Sequence, residues 1–93
     1  MKDDFVYVFK ALSHRSRLRL LELLAQHREL SVGELTDAMP REGSTISRHL
    51  NQLNLHGLVR VRQEGQNRYY SLDAEAIAAV FEAFLKSLKP PRK

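Results

Sequence analysis

The sequence predicts a mainly α domain closed by one small β-hairpin, an α+β arrangement in the order αααα-ββ-α. Three observations predict it. Four stretches before residue 57 carry apolar residues at helical spacing. Residues 58–63 and 68–72 read as two strands around Glu64, Gly65, Gln66 and Asn67, residue types that suit a tight turn. A last helical stripe, 74–88, follows the hairpin. The 93 residues form one domain, 1–93, small enough to gain from association.

Each element has its own signal. Phe5, Val8, Phe9 and Leu12 fall at i, i+3, i+4 and i+7, which predicts a first helix over 3–12. Asp3 and Asp4 sit where a helix N-terminus favours negative charge. Ser13 is the expected cap of a second helix running to about Gln26. Leu18, Leu20, Leu21, Leu23 and Leu24 make that helix apolar over more than half its circumference, as a central helix would be. Arg15, Arg17 and Arg19, in its first two turns, suit either phosphates or open solvent. Ser31 with Glu34 forms a capping box for a third helix, whose Val32, Leu35 and Met39 face inward and which Pro40 ends.

Ser44 is the expected cap of a fourth helix reaching about His56. Its Ile46, Leu50 and Leu53 point inward, and Gly57 is its C′ residue. The link 40–43 is short enough to make 31–56 a helix-turn-helix. In the hairpin, 58–72, Arg60 and Arg62 share one strand face while Val59 and Val61 share the other. Asp73 is placed to cap the last helix, whose stripe is Ile77, Val80, Phe81, Phe84, Leu85 and Leu88. Pro90 and Pro91 stop it, and Lys86, Lys89, Arg92 and Lys93 form a basic tail.

Composition narrows the function. The formal net charge is +4, and residues 41–70 hold Arg41, Arg48, Arg60, Arg62 and Arg68 against only Glu42 and Glu64. That concentration suggests a polyanionic partner for the helix-turn-helix and hairpin. There is no cysteine, which excludes disulfides, thiolate metal sites and thiol redox sensing. No run approaches a membrane span and no secretory h-region follows the N-terminus, so the expected location is the cytoplasm. No nucleophile–base–orienter set and no phosphate-cradling glycine loop are present, so an enzyme is not expected. No cofactor or metal is expected either.

A helix-turn-helix followed by a basic hairpin is the outline of a winged helix-turn-helix that binds double-stranded DNA. At 100° per residue, Ser44, Arg48, Asn51 and Gln52 lie opposite the inward face of the fourth helix, with Thr45 and Ser47 on the flanks. These residue types suit base edges and phosphates in the major groove. Arg48 has the reach to fork onto guanine O6/N7 or to clamp a phosphate. His49, at the edge of the inward face, reads as a half-buried packing residue. The wing candidates are Arg60, Arg62, Gln66, Asn67 and Arg68, expected to add affinity more than sequence choice.

The first and last helices carry more apolar surface than so small a core uses. This predicts a homodimer through Phe5, Val8, Phe9, Ile77, Val80, Phe81, Phe84, Leu85 and Leu88, binding an inverted-repeat operator. Ala76, Ala79 and Ala83 would permit close helix approach. The rival class is a winged-helix module for protein–protein or structured-RNA contact, which predicts a less basic outward face.

The segments FKALSHRSRLRLLELL, ELSVGELTDAM and STISRHLNQLNLHGLVRVRQEGQNRYYSL resemble the ArsR/SmtB family of bacterial and archaeal winged-helix repressors, over about residues 5–88. The resemblance implies a dimer through the first and last helices, a repressor released from its operator by an inducer, and DNA contacts on Ser44, Thr45, Ser47 and Arg48. Metal-responsive members carry a cysteine pair where this chain has Leu30, Ser31, Val32 and Gly33. Others bind metal between the last helices through Asp and His ligands, and this chain has no histidine beyond His56. LSVGEL resembles a subgroup that senses redox or sulfur species through cysteines, also missing here. A small-molecule effector, a protein effector, and control by concentration alone all stay open.

Overall fold

The computed structural model describes residues 3–89. Its elements are α1 (Asp3–Leu12), α2 (Arg15–Gln26), β1 (Leu30–Ser31), α3 (Val32–Ala38), α4 (Ile46–Leu55), β2 (Val59–Glu64), β3 (Asn67–Leu72) and α5 (Ala74–Ser87), with a 3-10 turn over Gly43–Thr45 before α4. The five helices and the hairpin stand in the expected order. The side chains of Asp3 and Asp4, the expected Pro90 and Pro91 stop, and Arg92 and Lys93 lie outside the described residues.

The core forms where α2 crosses α4 and both meet the sheet. Leu20 and Leu24 of α2, Ile46, Leu50 and Leu53 of α4, Leu35 of α3, and Leu58, Val59 and Tyr70 from the sheet side are all buried. The sheet has three antiparallel strands in the order β1-β3-β2, not the two of a bare hairpin. β1 is only two residues long and pairs Leu30 with Tyr70 and Ser31 with Tyr69. It anchors the base of the wing to the segment before α3. In the hairpin Glu64 faces Asn67, so Gly65 and Gln66 make a two-residue turn. Gly65 has φ +61° and Gln66 does not share the positive φ, the pattern of a II′ turn that matches strand twist.

Local rules set most helix ends. Ser31 Oγ accepts from the Glu34 N–H at 3.0 Å and the Ser31 N–H donates to Glu34 Oε1 at 2.8 Å, completing the capping box. Asp73 Oδ1 accepts from the Ala76 N–H at 3.1 Å and caps α5. After α4 the Gly57 N–H donates to the Asn54 carbonyl and the Leu58 N–H to the Leu53 carbonyl, with Gly57 at φ +73°. This is a Schellman stop.

Two expected caps are corrected. Ser13 does not cap α2: His14 holds that position in extended conformation with no side-chain cap bond, while the Ser13 N–H closes α1 onto the Lys10 carbonyl. Ser44 does not cap α4 either. It lies inside the 3-10 turn, and α4 starts at Ile46 after Thr45, itself in αR conformation without a cap bond.

Two polar ties join α2 to the start of α4. Ser16 Oγ donates to Glu42 Oε1 at 2.9 Å. Arg17 Nε donates to His49 Nδ1 at 3.1 Å, and another guanidinium nitrogen of Arg17 reaches the Ala11 carbonyl at 3.4 Å. His49 is 3% exposed, so it is a core residue, and its ring meets His14 edge-on at 4.4 Å. Accepting at Nδ1 fixes His49 as the neutral Nε2–H tautomer. Burial pushes its pKa below the ordinary histidine value, and His14, Arg17 and Arg48 add to this against a small opposing pull from Glu42.

The sign of the resulting pH dependence follows. An unfolded chain protonates the imidazole near pH 6.5, the folded protein only at lower pH. Between those values the unfolded state binds more protons, so stability is complete above about pH 6.5 and declines as pH falls toward the folded value. Glu29 and Asp73, whose carboxyls ionise more readily than usual because of Arg62 and Arg60, act only below about pH 5. Urea unfolding between about pH 7.5 and 5 should therefore show a decline that the His49→Gln variant lacks; parallel curves would contradict it. At Gly57 a Cβ would meet nothing within 4 Å, so Gly57→Ala should cost only backbone strain, about 1–2 kcal/mol. An unchanged urea midpoint would refute that cost.

Candidate nucleic-acid interface

α4 presents two distinct faces. Ile46, His49, Leu50 and Leu53 are buried at i, i+3, i+4 and i+7. Ser47, Arg48, Asn51 and Asn54 are exposed on the far side, with Ser44 exposed just ahead of them in the 3-10 turn. Among the described residues Arg48 takes part in no ion pair. Thr45 and Gln52 are half-buried. The Thr45 hydroxyl donates to the Glu42 carbonyl at 2.7 Å, so its proton is committed within the turn and only its lone pairs face outward. The fold thus brings five of the six expected helix residues onto or beside one surface with free hydrogen-bonding capacity, and holds Thr45 partly back.

Arg17 is not available to a phosphate, because it bridges α1 and α4. Arg15 and Arg19 are exposed on the opposite flank of α2.

In the wing the expected cations divide. Arg60 Nε lies 3.1 Å from Asp73 Oδ2, and Arg62 pairs with both Glu29 and Glu64 while sitting 4.6 Å from the centre of the Tyr69 ring. Both guanidiniums are held more firmly protonated by these carboxylates. Their charge is answered within the protein. Arg68 is different: its Nε donates to the neutral Gln63 Oε1 at 3.2 Å, and Gln63 in turn donates to the Gly65 carbonyl at 3.0 Å. Among the described residues Arg68 is in no ion pair, so it offers its charge near the wing tip, beside exposed Gln66 and Asn67. Val61, on the face expected to be apolar, is 39% exposed because the tip of the wing extends past the core.

The nine residues expected at a dimer face also separate. Phe5 and Val8 are already buried within the chain, at 8% exposure each. Ile77 and Val80 pack on the core. Phe9 and Phe84 meet edge-on at 4.8 Å, and Phe84 also meets Phe5, so α1 and α5 are stapled by aromatic contacts. Outside remain Phe81, Leu85 and Leu88, at 40%, 63% and 54% exposure. α5 contributes no buried residue at all.

The residues that sequence patterns missed are those that position the surface: Ser16, Glu42, Glu29 and, for its bond to Arg60, Asp73. Ser16 and Glu42 are 26 positions apart, Glu29 and Arg62 are 33 apart, and no local spacing connects them. A charge count over 41–70 registers Glu42 without revealing that its carbonyl holds the 3-10 turn that leads into α4.

Comparison with known proteins fits this geometry. The family described as "Helix-turn-helix domain" matches residues 12–62, which run from the end of α1 into the wing. The transcriptional activator HlyU of Vibrio cholerae serotype O1 is 38% identical over 77 residues, covering 83% of this chain and 70% of that protein. The arsenic resistance transcriptional regulator ArsR1 of Pseudomonas putida is 42% identical over 81 residues, covering 87% of this chain and 62% of that protein. A homodimeric winged helix-turn-helix DNA-binding domain from Mycobacterium bovis, described as a possible ArsR-family regulator, superposes with a TM-score of 0.73 at 33% identity, covering 98% of this chain and 87% of that one. The chain belongs to the ArsR/SmtB family of winged helix-turn-helix, DNA-binding transcription regulators.

Proposed function

We propose that this chain is a homodimeric, sequence-specific repressor that binds an inverted-repeat operator. α4 enters the major groove with Ser44, Ser47, Arg48 and Asn51 foremost and with Thr45 and Gln52 at the edges. The wing lies on the adjacent backbone through Gln66, Asn67 and Arg68, while Arg60 and Arg62 shape it. The observation that carries this reading is the outer face of α4, where Arg48 stands among exposed hydroxyls and amides and, among the described residues, in no ion pair. Such a face is suited to polyanion and base-edge contact, and it lacks the aromatic residues that the core of a protein-docking patch favours.

The dimer is supported by the uncovered stripe Ala78, Phe81, Leu85 and Leu88, spaced three, four and three residues apart on α5. An isologous contact would place this stripe against its own copy. The overall form agrees: the extents are 56 × 24 × 21 Å and the radius of gyration is 15.0 Å, against about 12 Å for a compact chain of this length. Repression follows where the operator overlaps the site at which polymerase binds. The chain has no thiol to serve as a sensor.

Enrichment from a random duplex library, followed by fluorescence anisotropy, tests the whole reading. The expected product is an inverted repeat with half-site centres about 10–10.5 base pairs apart or a multiple of that. Binding that selects no sequence and disappears by about 150 mM salt would favour the protein- or RNA-binding alternative. Arg48→Ala should cost about 1–3 kcal/mol on the selected duplex. Arg68→Ala should lower the slope of log K against log salt by about one on every duplex, while Arg60→Ala leaves it nearly unchanged. Leu85→Glu should turn a sedimenting dimer into a monomer with its helix content kept; a monomeric parent protein would remove the two-fold operator.

A further inference from the structure

Between the first turns of α2 and the link from α3 to α4 lies an open cleft of about 820 Å³. Its floor is apolar: Leu18, which is 48% exposed, faces Ala38, Met39 and Pro40 at the end of α3. Arg15, Arg19 and Arg41 stand at its rim, and among the described residues none of the three is in an ion pair. The carboxylates in the lining are Glu22 and Glu42, and Glu42 accepts from Ser16. An apolar floor of this size with a few convergent charges is the ordinary form of a small-molecule site. Three unanswered guanidiniums select a negative group, and the floor asks for a hydrocarbon body that inorganic phosphate lacks.

The cleft also borders the residue that holds α4 in place. The Glu42 N–H donates to the Met39 carbonyl at 3.1 Å, its carbonyl accepts from both the Thr45 N–H and the Thr45 hydroxyl, and its carboxylate is fastened to α2 by Ser16. A body seated between Leu18 and Pro40 presses on both sides of that fastening. We infer that this cleft is an effector site for a small amphipathic organic anion, a carboxylate or sulfonate on an aromatic or short aliphatic body, and that filling it shifts the start of α4 through Ser16 and Glu42. The inference deepens the DNA-binding reading and rests on it for its consequence, since the moved element is the proposed recognition helix. It requires no thiol and no metal.

The test titrates the 15N-labelled full chain with 2-naphthoate and, separately, measures anisotropy on the selected duplex. Saturable amide shifts should cluster in residues 13–22 and 38–49, and saturating naphthoate should weaken DNA binding about 5–150-fold. Leu18→Gln should weaken naphthoate binding. Ser16→Ala, compared with the parent when each is saturated with naphthoate, should lose most of the effect on DNA. Absence of saturable shifts at about 5 mM naphthoate, beyond the Kd of a millimolar ligand, overturns the site; so do shifts confined to α5. If Arg19→Gln lowers the salt slope of DNA binding and naphthoate produces no shift, the cleft is a seat for the DNA backbone and the inference fails. Because the naphthoate titration contains no DNA, a filled cleft in a protein that binds no duplex would sink the regulator reading, whereas DNA binding with an unfilled cleft would sink only this one.

Discussion

What α4 presents to the outside depends on how firmly α2 holds its first two turns. A ten-residue helix is marginal by itself in water, so its geometry comes from packing. Burial of Ile46, Leu50 and Leu53 sets which face turns inward but tolerates small slides along the axis. The polar ties remove that freedom. Ser16 bonds Glu42 and Arg17 bonds His49, one on each side of the first helical turn. Each is a hydrogen bond with a charged partner, a class worth about 1.5–3 kcal/mol, and each is directional where hydrophobic contact is not. The Glu42 carbonyl then transmits the position of α2 to Thr45. Arg17 adds a third attachment, since it also reaches the last turn of α1, where the carbonyl end of a helix favours a cation.

Net charge is a poor guide to where a polyanion would feel this protein. Arg60 with Asp73 sums to zero and Arg62 with Glu29 and Glu64 sums to −1, so neither guanidinium supplies net positive charge where it stands. Beyond a Debye length of about 8–10 Å such groups add no positive field. Exposed pairs of this kind are worth only about 0–1 kcal/mol, so their contribution is chiefly positional. Arg62 fastens the outer strand to Glu29, in the segment after α2, and covers Tyr69; Arg60 ties the same strand to the cap of α5. The wing is thereby fixed relative to α2 at its base, and its free charge is concentrated on Arg68 at the tip.

The sequence made visible those features whose cause is local. Helical stripes, the Ser31 and Glu34 capping box, the Asp73 cap and the Gly57 stop each involve residues three to seven apart, and each is found. His49 was legible as a packing residue from its angle on the helical wheel, and the structure buries it further. The failures share a different character. A serine before an apolar run looks like a cap, but Ser13 closes the preceding helix and Ser44 sits within a 3-10 turn, because the neighbouring elements decide which turn the chain takes. β1 has two residues, too few for any period, and exists only because β3 comes back beside it from some forty positions away. The pairing of Arg60 and Arg62 was equally invisible, since their period-two spacing describes a face without saying which carboxylates stand near it.

The exposed stripe on α5 limits how strong the proposed dimer contact can be. Phe81, Leu85 and Leu88 are each about half exposed, so covering all three contributes roughly 2–5 kcal/mol per protomer. Association costs about 4–15 kcal/mol in lost translational and rotational freedom, so these residues by themselves make only a modest dimer. Ala78 and Ala79, both exposed on α5, would let helix backbones approach closely in such a contact. A contact of this strength responds to whatever else the two protomers share. Two half-sites on one duplex raise the effective concentration of the second protomer to the millimolar range, which favours the dimer without any new protein contact. In the proposed two-fold complex, half-site spacing and the geometry of α5 would be selected together, because a duplex with the wrong spacing would have to pull apart the helices whose pairing it otherwise strengthens.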